Sequence, residues 1–187
     1  MRKILIGAAA AALTLNLGLA ACGQKTEAPE AAGAPQPSTS TVAASLKDNG
    51  DLGMLAGVVE ASGLRAALEG VGPYTIFAPT DAAFTAAGGA PGEDQPAQGA
   101  KLLQAHIVPG AVTRTDINAA LDRATNGRVE MRTMDDGVLT FTREGQTLRV
   151  TAPDGAAARL TGTESAASNG VIQPVDAVLV KAAGQGQ

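Results

Sequence analysis

Thr75-Ile76-Phe77-Ala78-Pro79-Thr80-Asp81-Ala82-Ala83-Phe84 is the stretch from which the fold can be read. Its first half, with Tyr74 before it, is a short run of aromatic and β-branched residues, as in a buried strand. Pro79 ends the run because it brings no amide to a ladder. Thr80 can then accept from the free amides of a first helical turn, and Asp81 suits the positive end of the helix dipole. A strand therefore passes directly into a helix.

Upstream, Leu46, Leu52, Leu55, Val58, Val59, Leu64 and Leu68 recur at roughly helical spacing, broken by Asn49-Gly50 and Ser62-Gly63. This predicts three short helices, with Gly50 and Gly63 as stops. Downstream, residues 88–99 are rich in Gly, Pro and Ala and read as a loop. Lys101 to Val108 reads as a helix stopped by Pro109-Gly110, and Thr115-Asp116 as the cap of a helix running to about Ala124. Beyond that the period changes. Val129–Met134, Val138–Arg143, Thr147–Thr151 and Arg159–Thr161 are short and β-prone, split by Asp136-Gly137, Glu144-Gly145 and Asp154-Gly155, which are hairpin signals. Asn169-Gly170 precedes a last apolar run, Val171 to Val180. Helices first and strands later predict an α+β domain.

The two ends read differently. Met1-Arg2-Lys3 is a basic head, and Ile4 to Leu19 is an uncharged apolar run, the pattern of a secretory signal. The run is too short and too rich in Ala and Gly to be read as a membrane span. It ends in Leu19-Ala20-Ala21-Cys22, which resembles the lipobox of bacterial lipoproteins, and Cys22 is the one cysteine of the chain. The resemblance implies cleavage of residues 1–21, acylation of Cys22 and attachment to a membrane through that lipid. Gly23, where an Asp would retain a lipoprotein at the inner membrane, favours the outer membrane in an organism that has two. Residues 22–41 read as the lipidated Cys and a Pro-containing tether with too little apolar surface to fold, residues 42–182 as the domain, and residues 183–187 as a flexible tail.

Composition narrows the partners. Without Arg2 and Lys3, 12 basic residues face 18 acidic ones, a net charge of −6 in place of −4. With no basic run and no interleaved aromatics, nucleic acid is not expected as a partner. His106, the only histidine, is flanked by Leu102, Leu103, Ile107 and Val108 and reads as a buried core residue. One His and an acylated Cys do not make a metal site, and no Ser lies in a Gly-x-Ser-x-Gly setting. Asp81 and Asp176 read as capping groups. No catalytic residue, metal or cofactor is expected. With Tyr74, Phe77, Phe84 and Phe141 as the only rings, and Phe77 and Phe84 assigned to the core, a ring platform for sugars is disfavoured.

Three segments together resemble the fasciclin (FAS1) domain. They are residues 75–84 above, Leu102-Leu103-Gln104-Ala105-His106-Ile107-Val108-Pro109-Gly110, and Ser168-Asn169-Gly170-Val171-Ile172-Gln173-Pro174-Val175-Asp176-Ala177-Val178-Leu179. The resemblance marks Thr80, Asp81, His106, Asn169, Gly170 and Asp176 as structural signature positions. It departs from the family at Ala105, where Tyr is common, and at Gln173, where His is common. It implies a wedge of two β-sheets with helices packed around one side, and a non-catalytic module for adhesion or for contact with an envelope or matrix protein. Some relatives carry an Asp-Ile integrin motif before the last segment. Glu164-Ser165-Ala166 stands there instead, and Asp116-Ile117 reads as part of a helix first turn. Because some fasciclin proteins bind pigments, the alternative is a carrier of an apolar small molecule such as a pigment or lipid.

Overall fold

The computed structural model describes residues 38–181. The leader, Cys22, most of the tether and the tail lie outside the described residues. The helices α1 (Val42–Asp48), α2 (Gly53–Ala61) and α3 (Arg65–Glu69) lead into β1 (Tyr74–Pro79), α4 (Asp81–Ala86), α5 (Pro96–His106), β2 (Ile107–Pro109) and α6 (Arg114–Arg123). The strands β3 (Val129–Arg132), β4 (Val138–Glu144), β5 (Thr147–Thr151), β6 (Ala157–Arg159), β7 (Ser165–Ala167) and β8 (Gly170–Val175) follow. They form two four-stranded sheets, ordered β2-β1-β8-β7 and β3-β4-β5-β6. The fold is α+β, with one parallel pair, β1 with β8, among antiparallel ones.

The first sheet is the middle layer. On β1, Ile76 and Ala78 belong to a cluster with Leu46, Leu55, Leu103 and other helical residues. Phe77, between them, belongs to a second cluster with Ile117, Phe141 and Val150. Successive strand residues point to opposite faces, so β1 and β8 are buried on both sides. The second sheet has only one covered face, and β4 and β5 accordingly alternate buried and half-buried positions along most of their length. Helices α1, α4 and α5 pack on the first sheet, whereas α6 packs on β3 and β4. Phe77 and Phe141 meet across the second cluster with ring centroids 5.1 Å apart.

Several local expectations are corrected. The helix expected over Lys101–Val108 starts earlier, at Pro96, and ends at His106. Proline is preorganised for a first helical turn, so part of the Gly/Pro-rich stretch is helix. Gly99 within it lies against α2, where an added Cβ would meet Val58 Cγ1 at 3.2 Å. Ile107 and Val108 leave the helix and pair with Ile76 and Thr75. Both are β-branched, and Val108 precedes a proline, which disfavours helix. The cap of α6 is Thr113, not Thr115: Thr113 and Asp116 form a reciprocal capping box. The strand expected at Arg159–Thr161 is β6 at Ala157–Arg159, after which Leu160 bridges to Val175. β7, made of Ser and Ala, has no sequence signal of its own. The last apolar run is strand only to Val175. Ordered pairing also begins before Val42, as Ser38 N–H donates to Ala166 O (3.0 Å) and Ser168 N–H to Ser40 O (2.9 Å).

Gly170 opens β8 where the chain meets β1. A Cβ there would fall 2.0 Å from Tyr74 O and 2.9 Å from Val42 Cγ2. The oxygen belongs to a backbone held in the sheet. Gly170→Ala is therefore expected to destabilise the domain by ~3 kcal/mol, the upper part of the overpacking range, read as a lower urea midpoint at unchanged m-value.

Candidate functional site

The signature residues each secure a different joint. Thr80 Oγ1 accepts from Ala83 N–H (3.2 Å) and caps α4. Asp81 acts across the fold: its Oδ1 accepts from Met54 N–H at 2.8 Å, in the first turn of α2, whose own N-cap, Leu52, makes no side-chain bond. Asn169 sits in the β7–β8 turn and uses both ends of its amide. Its Oδ1 accepts from Val42 N–H (2.8 Å), and its Nδ2 donates to Leu68 O (2.8 Å) and Gly70 O (2.9 Å). It thereby ties the start of α1 and the end of α3 to the first sheet. Asp176 Oδ1 accepts from Arg159 N–H at 2.6 Å and joins the end of β8 to β6.

His106 is fully buried. Its Nδ1 lies 2.7 Å from Leu102 O, and its Nε2 accepts from Leu179 N–H at 2.9 Å. Nε2 can accept only if it carries no proton, so the proton is on Nδ1 and is donated to Leu102. Burial pushes the imidazole down to about 4, opposed by its bond to Leu102 and by the carboxylates Asp135 and Asp154. Both ring nitrogens are committed, so neither is free to act as a base or metal ligand.

A polar seam crosses the first sheet and went unrecognised in the sequence. Gln173, fully buried on β8, donates through Nε2 to Glu164 Oε2 (2.6 Å) and Val112 O (3.1 Å), and accepts on Oε1 from Arg114 Nε (3.0 Å). Thr75 on neighbouring β1 donates to Gly110 O (2.7 Å) and accepts from Val112 N–H (2.8 Å). Glu164 Oε2 also accepts Arg114 N–H at 2.8 Å, at the start of α6. Arg114 reaches the carbonyls of Thr161 and Gly162. Burial lowers its pKa, and Glu164 opposes that effect. The seam thus orients the loop that launches α6. Glu164 could have been noticed as an acidic residue shortly before the segment that holds Gln173. Arg114 gave no signal.

An open groove of about 640 Å³ lies beside the β7–β8 turn, lined by Val71, Pro73, Ala111, Ala167 and Val171 among others. Val71 is 98% exposed. Phe77, Phe84 and Phe141 are buried, so Tyr74 alone among the rings is partly accessible. Ala105 is half-buried on α5. Among the described residues no group of three or more His, Cys, Asp or Glu is placed to hold a metal, and no helix is long and apolar enough to cross a membrane.

These joints have measurable consequences. Asn169→Ala strands one amide and two carbonyls at a partly buried junction and is expected to cost ~2–3 kcal/mol, measured by urea unfolding. Asn169→Asp should cost more, because a carboxylate oxygen then faces Leu68 O and Gly70 O. His106 has a pKa depressed on folding, so its contribution is intact above the unfolded value near 6.5 and is lost as pH falls toward about 4. Thermal unfolding should show stability falling by up to ~1.4 kcal/mol per pH unit across that window, with a shallower fall in His106→Gln.

Comparison with known proteins agrees with this architecture. The family model described as "Fasciclin domain" matches residues 50–181. Protein sll1483 of Synechocystis sp. is 29% identical over 131 residues, covering 67% of this chain and 65% of that protein. A solved FAS1 domain pair from the insect cell adhesion molecule Fasciclin I superposes with a TM-score of 0.58 at 19% identity, covering 71% of this chain and 46% of that one. The chain thus spans less than two thirds of either relative, while one fasciclin domain accounts for most of its own length, and the chain belongs to the fasciclin domain family.

Proposed function

We propose that this chain is an exported, lipid-anchored adhesion or interaction module, non-catalytic, held to the cell envelope through an acylated Cys22. In an organism with two membranes the anchor would be in the outer one, and the partner would be an envelope or matrix protein. The fasciclin domain over residues 50–181 carries this reading. The Leu19-Ala20-Ala21-Cys22 sequence supports the anchor, and the insect relative of the same fold is a cell adhesion molecule. The commitment of both His106 nitrogens to backbone supports a non-catalytic role.

A second reading, carriage of an apolar small molecule, rests on the groove beside Val71, whose volume lies in the range of ligand sites. It stands behind the first because that groove is open and lined mostly by small residues such as Gly, Ala and Ser, with no aromatic ring among them.

Intact mass spectrometry of protein purified gently from its own cells tests both. Loss of residues 1–21 with added acyl mass is expected; cleavage without acyl mass would remove the anchor from the reading. Extra mass retained in native spray and lost on denaturation would place the carrier first. Residues 23–187, added in excess as a soluble competitor, should reduce adhesion of the parent cells. Unchanged adhesion, together with unchanged adhesion of a deletion strain, would overturn the adhesion role.

A further inference from the structure

Beyond β8 the chain runs from Asp176 to Lys181 without regular secondary structure. Its amides are held in an unusual way. Asp176 N–H reaches a backbone carbonyl, Arg159 O, at 3.1 Å. Leu179 N–H donates to His106 Nε2 (2.9 Å) and Lys181 N–H to Asp154 Oδ2 (2.7 Å). A ladder amide bonded to a carbonyl is indifferent to pH; the imidazole nitrogen that holds Leu179 is not. The same segment pins the two halves of the core, since Val178 packs on the helical cluster and Leu179, 1% exposed, belongs to the cluster between the sheets.

We propose that residues 177–181 form an acid-released strap: a proton taken up by His106 detaches this segment from α5 while the two sheets remain paired. The proton must go to Nε2, because Nδ1 already carries one and donates it to Leu102 O. Nε2 then becomes a donor pointing at the Leu179 N–H, and the bond turns into a repulsion between two donors. The charges acting on the ring come from two of the three hairpin turns of the second sheet. Asp135 in the β3–β4 turn and Asp154 in the β5–β6 turn both favour the charged ring, and burial overrides them. The Lys181 ammonium lies against the second of these turns, where an added Cβ on Gly155 would meet it at 3.2 Å. Lifting the strap lets water reach the ring, which then protonates near the ordinary value of 6.5 rather than about 4. Between these values the proton is held by the open state and not by the closed one. Opening therefore becomes about tenfold more favourable for each unit of pH lost. The strap's contribution is complete above pH 6.5 and diminishes downward to about 4. For a domain outside the cytoplasm, acid surroundings would uncover an apolar end of the core without unfolding the rest.

Amide hydrogen exchange followed by NMR on the full chain between pH 7 and 4, corrected for intrinsic rates, tests the proposal. The Leu179 protection factor should lie well below those of Ile76 in β1 and Ile172 in β8, which open only with the whole domain, and should fall about tenfold per pH unit below 6.5. Flat protection at Leu179 would overturn the proposal, and so would a protection factor equal to those of Ile76 and Ile172, which would be global unfolding. His106→Gln, which keeps an acceptor that does not titrate, should abolish the slope; a retained slope would overturn the role of His106. Asp154→Asn should leave the Leu179 slope in place. If His106→Gln fails to fold, the ring nitrogen shifts of the wild type decide. Protonation coincident with the loss of Leu179 protection supports the strap. Protonation with Leu179 still protected overturns it.

Discussion

The parallel pairing of β1 with β8 is the constraint around which the domain is organised. Six residue pairs, from Tyr74 with Gly170 to Pro79 with Val175, are in register. The two strands are the central pair of a sheet buried on both faces, where an unpaired backbone group is costly. A parallel neighbour cannot be reached by a tight turn and needs a crossover. Here the crossover is most of the remaining domain, from α4 to β7, so closing the pair constrains where those elements lie.

Burial on both faces leaves little room for polar groups, and those present all serve connections. Thr75 and Gln173 take hold of the loop that crosses to α6, through both the N–H and the C=O of Val112. Asn169 binds the helical layer to the start of β8, and Asp176 binds the end of β8 to the second sheet. Hydrogen bonds of this kind contribute modestly when made and cost heavily when one partner is removed. The residues expected as signature positions are thus joints of the scaffold. Surface residues such as Val71, 98% exposed, are not constrained by it.

Joints built from side-chain acceptors differ in one respect from joints built from carbonyls. The amides of Asn169 and Gln173 carry no titrating proton. His106 accepts only while its Nε2 is unprotonated. The C-terminal segment depends on that nitrogen for its Leu179 amide.

Much of the architecture was legible in the sequence because local chemistry and tertiary demand agreed. Thr80-Asp81 after Pro79 marks a strand-to-helix junction by capping alone, and Asp136-Gly137, Glu144-Gly145 and Asp154-Gly155 mark hairpins by turn chemistry. The apolar setting of His106 indicated burial. The failures occurred where the partner is remote. Ile107–Pro109 leaves the helix to complete an edge of the β1 sheet. Ser165–Ala167 is strand only because β8 lies beside it. Thr113 caps α6 because the loop before it is held in place by Thr75 and Gln173. Most elements were therefore set locally, through periodicity, caps and turns, whereas β2 and β7 exist only through their partner strands. Which surfaces meet, and which buried acceptor holds which amide, was decided only in the tertiary structure, because those bonds join residues up to about 130 positions apart and leave no local pattern.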